Sequence, residues 1–314
     1  MRATDSLVVV THPDCALHRS PPGHPERPAR LEAAVAGAAL PGARPRAVEI
    51  DERAALEAVR RVHAPGLAAR LESACLAAPA VFDCEDNVIG RETYRAAIGA
   101  AAAAVAAADA AAGGARRVWA PVRPPGHHAL RERAMGYCYF NNAAIAAESL
   151  LARGIGPIAL VDFDVHHGNG TQAHFWERND VFFLSVHRYP FYPGTGAGDE
   201  VGGGQGWGFT RNFPLAGGTG DDVYAEAVAA GVEEATRACT PAAWVVSAGF
   251  DAHRDDPLGG MEVTEEGFRR IGRTLGEASG ERPVVAVLEG GYHLEALRRS
   301  VRSFLEGLVG TARP

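Results

Sequence analysis

Short apolar runs alternate with longer amphipathic stretches along most of the 314-residue chain. The apolar runs are brief and rich in β-branched residues, which is typical of buried strands. The predicted strands are Leu7–Val10, Arg117–Ala120, Ile158–Val161, Val181–Val186, Ala243–Ser247 and Val284–Leu288. In the stretches between them apolar positions recur at helical spacing, several after a capping Asn, Asp or Thr. The predicted helices are Glu26–Ala39, Asn141–Arg153, Asp221–Arg237, Thr264–Ala278 and His293–Leu308. This alternation predicts an α/β fold with a parallel sheet, and we expect residues 1–314 to form a single domain.

One further stretch, Ala96–Ala112, is almost entirely alanine and ends at a pair of glycines. Alanine is a strong helix former but only weakly hydrophobic, and Asp109 interrupts the run. We therefore predict a packed helix and no membrane contact. The apolar run within Met1–Val10 is too short for a signal peptide, so we expect a cytoplasmic location.

Composition narrows the classes of partner. The formal charge is −7, which gives no basic surface for a phosphate backbone and argues against direct nucleic-acid binding. All 31 basic residues are Arg, a bias that we interpret as bacterial coding preference. The five cysteines contain no CxxC pair, so neither a disulfide framework nor a cysteine metal site is predicted.

Unusual polar clusters follow five of the predicted strands at their C-terminal ends. In an open parallel sheet, the carboxyl edge is where ligands bind, so these segments should converge on one site. The clusters are Arg123–His128, Asp162–His167, Ser185–His187, Gly249–His253 and Glu289–Tyr292.

The cluster after the third strand has the spacing of a metal site. Side chains alternate in an extended segment, so Asp162, Asp164 and His166 share one face. A carboxylate from Asp251 would complete a set of ligands that leaves one position open, as catalytic zinc requires. The same oxygen and nitrogen donors also suit Fe²⁺, and a hydrogen-bond network without metal is the plainer alternative. His127 and His128 are the acid–base candidates.

The ordered motifs resemble those of histone deacetylases, especially the class II and bacterial branch. They are His24-Pro-Glu-Arg-Pro, Arg123-Pro-Pro-Gly-His-His, Gly136-Tyr-Cys-Tyr-Phe-Asn-Asn, Val161-Asp-Phe-Asp-Val-His-His-Gly-Asn-Gly-Thr-Gln, Phe191-Tyr-Pro-Gly-Thr-Gly, Ser247-Ala-Gly-Phe-Asp and Glu289-Gly-Gly-Tyr. The resemblance implies an arginase-like fold with an eight-stranded parallel sheet, two strands more than the apolar runs predict. It also implies a narrow tunnel that leads to zinc.

Carried onto this chain, the resemblance implies that Asp164, His166 and Asp251 bind zinc and that Tyr292 hydrogen-bonds the substrate carbonyl. It pairs Asp162 with His127, and it places Asn169 where class I relatives carry a second Asp. A carboxylate favours the charged imidazole and an amide does not. We therefore predict that His127 stays protonated and that His128 acts as the base.

The resemblance also implies positions for the tunnel and for a structural potassium ion. The tunnel positions are Gly136, Tyr137, Tyr192 and Leu258, with His24 and Asp86 at the mouth. The potassium positions are Asp162, Asp164, His166, Ser185 and Val186.

The predicted function is zinc-dependent removal of acetyl or related acyl groups from lysine side chains of a peptide, a protein or another acylated amine. The main alternative is an acetylpolyamine amidohydrolase; Leu258 argues against it, because polyamine-selective relatives can carry Glu there. A small-molecule deacylase of acetoin or secondary metabolism is a further alternative. A catalytically weak acyl-lysine binding protein is disfavoured by the presence of Tyr292. The sequence leaves the oligomeric state open and is compatible with a homo-oligomer.

Overall fold

The structure is a computed structural model that describes residues 6–48 and 51–310. In those ranges the chain forms ten strands and nine α-helices. The strands are β1 (Leu7–Thr11), β2 (Arg44–Ala47), β3 (Ala80–Phe82), β4 (Cys84–Ile89), β5 (Arg117–Ala120), β6 (Ile158–Asp162), β7 (Val181–Arg188), β8 (Thr210–Leu215), β9 (Ala243–Ala248) and β10 (Val284–Leu288). The helices are α1 (Ala29–Gly37), α2 (Glu52–Val62), α3 (Pro65–Leu76), α4 (Thr93–Ala112), α5 (Asn142–Leu151), α6 (Asn169–Phe175), α7 (Asp221–Cys239), α8 (Glu265–Ser279) and α9 (Leu294–Val309). Residues 1–5, part of the segment used to predict location, lie outside the described ranges.

Eight strands form one parallel sheet in the order β2-β1-β5-β10-β9-β6-β7-β8, which confirms the predicted fold class. The six strands predicted from apolar runs are all present, and the two that were missed, β2 and β8, lie at the edges. All four residues of β2, Arg-Pro-Arg-Ala, are exposed, so no apolar run marks it. A proline is tolerated there because one side of an edge strand forms no ladder.

Both faces of the sheet are covered. Along β6, Ile158 and Leu160 belong to one hydrophobic cluster, whereas Ala159 and Val161 belong to the cluster on the opposite face. A strand buried on both sides has no polar alternation, which explains its continuous apolar run. Each fully buried large aliphatic side chain contributes about 1.5–3 kcal/mol, so the central strands are firmly fixed.

The alanine-rich segment forms α4, which packs against α2, α5 and β5. It is long and apolar enough to cross a membrane, but 78% of its most apolar window is buried inside the protein. It is therefore a core helix, as predicted. The first helix is shorter than the predicted Glu26–Ala39: it begins at Ala29, directly after Pro28, and Glu26 instead lies in a buried ion network with Arg30 and Arg123.

The last strand along the chain lies near the centre of the sheet. β10, the final strand, inserts between β5 and β9, and β9 pairs with β6. The loops that follow these four strands therefore meet at one edge, although they come from residues more than 160 positions apart, as between Gly126 and Glu289. The strand order therefore places residues that are distant in sequence side by side at the carboxyl edge of the sheet.

Candidate metal centre and active site

The loops after β6 and β9 bring two carboxylates and an imidazole together. Single ligand atoms of Asp164, His166 and Asp251 all lie within 4.8 Å of one another. The Nδ1 atom of His166 is 3.0 Å from Oδ1 of Asp164 and 3.2 Å from Oδ2 of Asp251. Both aspartates are fully buried. These are the three residues that the sequence proposes as metal ligands.

Backbone groups orient the two carboxylates. Gly290 N donates to Oδ2 of Asp164 at 2.8 Å, and Val165 N donates to Oδ1 of Asp251 at 2.9 Å. The other oxygen of each carboxylate is thereby turned toward His166. A Cβ at Gly290 would lie 2.0 Å from Oδ2 of Asp251, so only glycine permits this close approach.

The donor set fits a divalent cation. In the described chain Oδ2 of Asp251 is buried and accepts no hydrogen bond of good geometry. Burial raises the pKa of the Asp251 carboxyl, and the neighbouring Asp164 adds to the rise. Two buried carboxylates at this separation need a positive charge between them, and mixed oxygen and nitrogen ligands are those used by catalytic zinc and ferrous sites. The geometry therefore defines a candidate divalent metal centre.

His127 is held as an imidazolium. Its Nδ1 lies 3.0 Å from Oδ2 of Asp162, and its Nε2 lies 3.8 Å from Oδ1 of Asp164. Burial by itself lowers the pKa of His127, but the two carboxylates raise it to about 10. Burial raises the pKa of Asp162 to about 6, still below that of its partner. At neutral pH the pair is thus ionic, in the direction predicted from the sequence.

His128 has the opposite electrostatic environment. Its Nδ1 lies 2.8 Å from Oδ1 of Asn169, an acceptor without charge, so Nδ1 carries the proton and Nε2 keeps its lone pair. Burial lowers the pKa of His128 well below its usual value, and the charges of His127 and His166 lower it further. Its ring centroid lies 4.0 Å from that of His127. A neutral imidazole beside a charged one is suited to accept a proton.

Tyr292 completes the edge of the site, and its backbone is firmly anchored. Its N–H donates to Oδ2 of Asp256 at 2.6 Å, and the Arg30 guanidinium lies 4.8 Å from its ring centroid. Burial raises the pKa of the Tyr292 phenol well above its usual value. The hydroxyl therefore stays protonated and available as a hydrogen-bond donor.

A cavity of about 210 Å³ leads to these groups. Its lining residues are Asp86, His128, Gly136, Tyr137, His166, Phe191, Tyr192, Leu258 and Tyr292. Five of the six tunnel positions named from the sequence are in this wall. His24 is the exception: Glu26 N donates to its Nδ1 at 3.1 Å, closing a turn, and its ring packs edge-on behind Tyr137 at 4.8 Å. His24 thus supports the wall and does not line the cavity.

The predicted potassium positions come from β6, the loop after it and the neighbouring strand β7: Asp162 ends β6, Asp164 and His166 follow it, and Ser185 and Val186 lie within β7. Asp162 and Ser185 are register partners on the two strands. The carbonyl of Val186 accepts a hydrogen bond from the Tyr224 hydroxyl at 3.1 Å, and Ser185 Oγ lies 2.9 Å from His187 Nδ1. Of the five, Asp162 and Ser185 are the direct neighbours across the two strands, and the potassium site remains a prediction.

Two contributors were not assigned a role from the sequence. Phe191 stacks on His166 with ring centroids 5.3 Å apart and an interplanar angle of 13°. Glu289 Oε2 accepts from the N–H groups of Gly126 and His127 at 2.6 and 3.1 Å, which fixes the histidine loop against β10. Both residues stand in the ordered motifs of the sequence. Only the packing shows what the side chains of Phe191 and Glu289 contact.

Comparison with known proteins agrees with this architecture. Residues 24–308 match the family model of the histone deacetylase domain. The chain is 39% identical over 293 residues to histone deacetylase 15 of Arabidopsis thaliana, covering 91% of this chain and 53% of that protein. It is 38% identical over 339 residues to an acetylpolyamine amidohydrolase of Burkholderia pseudomallei, covering 96% of this chain and 98% of that protein. It therefore spans about half of the plant protein and nearly all of the bacterial one.

Solved structures agree. The HDA15 HD domain superposes with a TM-score of 0.88 at 36% identity, covering 98% of this chain and 90% of that one. An acetylpolyamine aminohydrolase from Burkholderia pseudomallei superposes with a TM-score of 0.86 at 36% identity, covering 96% and 98%. The chain belongs to the histone deacetylase family, a group of deacetylases and amidohydrolases that act on amides.

Proposed function

We propose that this protein is a zinc-dependent deacylase that removes acetyl or related acyl groups from lysine side chains. The observation that carries the proposal is the placement of Asp164, His166 and Asp251 beside a narrow cavity that also exposes His128 and Tyr292. The ligand His166, the candidate base His128 and the phenol of Tyr292 thus line one cavity. A cytoplasmic location and a structural potassium ion are part of the same proposal.

The residues divide the chemistry between them. A zinc ion held by the three ligands would supply Lewis acidity, which polarises an amide carbonyl and makes water more acidic. Nε2 of His128 takes a proton from the attacking water; the lowered pKa keeps this nitrogen unprotonated before the step. The Tyr292 hydroxyl donates to the carbonyl oxygen as negative charge develops there. His128 then passes its proton to the nitrogen of the breaking C–N bond, which gives a carboxylic acid and an amine. At neutral pH the acid's proton moves to the amine, so a carboxylate and an ammonium leave.

His127 contributes charge and position. It remains an imidazolium because Asp162 and Asp164 hold its pKa at about 10. A fixed positive charge whose ring centroid lies 4.0 Å from that of His128 keeps the base neutral until it takes a proton from water. In this role His127 transfers no proton.

The cavity wall favours a linear aliphatic stem. Tyr137, Phe191 and Tyr192 supply aromatic surface, and Leu258 supplies an apolar side chain. The apolar side chain of Leu258 suits the methylene groups of lysine and offers no charge to a second ammonium. An acetylated polyamine is the second candidate, because one relative of matching length is named an acetylpolyamine amidohydrolase and Asp86 puts a carboxylate at the mouth.

The test compares hydrolysis of an acetyl-lysine peptide and of N-acetylputrescine by metal-stripped protein with and without added zinc. Zinc-dependent turnover that prefers the peptide supports the proposal, and preference for the polyamine replaces lysine by the second candidate. Tyr292→Phe should lower kcat by about 10²-fold or more, the usual loss on removing one oxyanion donor. If wild type and Tyr292→Phe were equally inactive with zinc on both substrates, the deacylase proposal would be wrong.

A further inference from the structure

The phenol of Tyr192 is an unexpected group in a wall that grips methylene groups. A hydroxyl beside an apolar stem loses water contacts, and this loss costs free energy unless a protein group accepts its hydrogen bond. Here the acceptor is Asp86, whose Oδ2 lies 3.3 Å from the Tyr192 hydroxyl oxygen. Residues 86 and 192 are 106 positions apart, the first in β4 and the second in the loop after β7, so this bond joins two parts of the cavity mouth.

The segment that carries Asp86 is itself tied to a second part of the wall. Asn87, the next residue of β4, is fully buried, accepts from Tyr137 N at 2.7 Å and donates to the Cys138 carbonyl at 3.2 Å. These bonds hold Tyr137 at a φ of 66°, which is strained for a residue other than glycine. Asp86 is exposed, but its backbone position is fixed by the bonds of its neighbour Asn87, and its carboxylate is thereby placed next to the Tyr192 hydroxyl.

The position of the Tyr192 ring also bears on the chemistry. The ring packs edge-on against His128 at 5.1 Å and against His166 at 6.0 Å. A Cβ at Gly136 would lie 3.1 Å from the Tyr192 hydroxyl oxygen, so that oxygen reaches the Gly136 side of the cavity. The Tyr192 ring therefore lines the cavity and contacts both the candidate base and a candidate metal ligand.

We propose that the hydrogen bond between Tyr192 and Asp86, here called the mouth latch, sets the width of the tunnel and thereby its fit to a linear stem. Tyr192 and Asp86 are positioning residues in this role, which is separate from any contact that the Asp86 charge makes with groups of the substrate outside the tunnel. The inference rests on the proposed function, because it concerns the same cavity.

The kinetic test uses a neutral substrate, an N-acetylated linear alkylamine, which has no ammonium or further N–H for a rim carboxylate to bind. Tyr192→Phe and Asp86→Ala should each raise KM by roughly two- to fivefold, the range for a partly exposed hydrogen bond, with kcat within about twofold. The double variant should show no further rise, because both single changes break the same bond. Asp86→Asn keeps an acceptor oxygen and should recover most of the lost affinity. Val81→Ala is the control for folding, because Val81 is 58% exposed and lies in β3, which pairs antiparallel with the strand β4 that carries Asp86.

A second measurement does not depend on turnover. Protein labelled with ¹³Cζ-tyrosine gives one signal for each of the seven tyrosines, and Tyr192→Phe identifies that of Tyr192. Asp86→Ala should shift this signal, and Asp86→Asn should shift it less. A Tyr192 signal unchanged by Asp86→Ala, or additive effects on KM in the double variant, would overturn the latch. Wild type that does not hydrolyse any acylated amine would instead overturn the proposed function, and the spectrum would still test the latch.

Discussion

Asn169→Asp tests whether His128 is the neutral base and His127 the charged neighbour. In the structure the Nδ1 of His128 lies 2.8 Å from a neutral amide oxygen, whereas that of His127 lies 3.0 Å from a carboxylate. Aspartate has nearly the shape of asparagine, so the change adds one negative charge without altering the geometry. It should give His128 the electrostatic environment that His127 has.

The size of the effect follows from the separation. Opposite charges about 4 Å apart attract by about 4 kcal/mol at an effective dielectric constant of 20, equivalent to about 3 pKa units. Burial of the new carboxylate and the positive charge on His127 oppose part of this, so we expect the pKa of His128 to rise by about 1–3 units. The base must be neutral. A raised pKa therefore lowers activity at pH values below the new pKa, and activity returns as pH rises above it.

The assay is the pH dependence of kcat/KM for an acetyl-lysine peptide at equal zinc content in wild type and Asn169→Asp. The acidic limb should move to higher pH by about 1–3 units, and one unit below the new pKa the variant should retain about a tenth of its maximum. An acidic limb that stayed in place, or moved to lower pH, would refute the assignment of His128 as the base.

Three further substitutions probe the supports of the site. Glu289→Ala leaves two buried N–H groups without an acceptor and should destabilise the fold by about 2–5 kcal/mol in urea titration, whereas Glu289→Gln should lose much less; equal losses would contradict the argument. Gly290→Ala should abolish zinc binding measured by metal analysis, because a Cβ would lie 2.0 Å from Oδ2 of Asp251. Gly66→Ala, which meets nothing within 4 Å, is the control, and full zinc occupancy in Gly290→Ala would show that the carboxylates can yield. Glu26→Gln leaves two buried arginines without their shared carboxylate and should cost about 3–5 kcal/mol of stability, so an unchanged urea midpoint would argue against this network.

The central part of the sheet could be predicted from sequence because its strands are buried on both faces. Continuous apolar runs mark β6 and β9, and the polar clusters that follow them mark the carboxyl edge. The edge strand β2 could not be found in this way, because all four of its residues are exposed and no apolar run marks it. Its pairing with β1 is visible only in the folded chain.

The candidate ligands were predictable because metal chemistry restricts both residue type and spacing. Asp164 and His166 are two positions apart on one loop, and such local spacing is visible in a sequence. The role of Phe191 could not be predicted, because the sequence does not show whether an aromatic loop residue packs in the core or stacks on an imidazole. The contact between Tyr192 and Asp86 spans 106 positions and depends on where β4 lies, which only the folded chain determines.

The central claim is that Asp164, His166 and Asp251 hold the ion on which amide hydrolysis depends. The most direct measurement titrates chelator-stripped protein with zinc, following bound metal and hydrolysis of an acetyl-lysine peptide in wild type and Asp251→Asn. We expect activity to rise in proportion to bound zinc up to one ion per chain, and to stay near background in Asp251→Asn. Full activity in the stripped protein, or equal zinc binding and turnover in Asp251→Asn, would contradict the account.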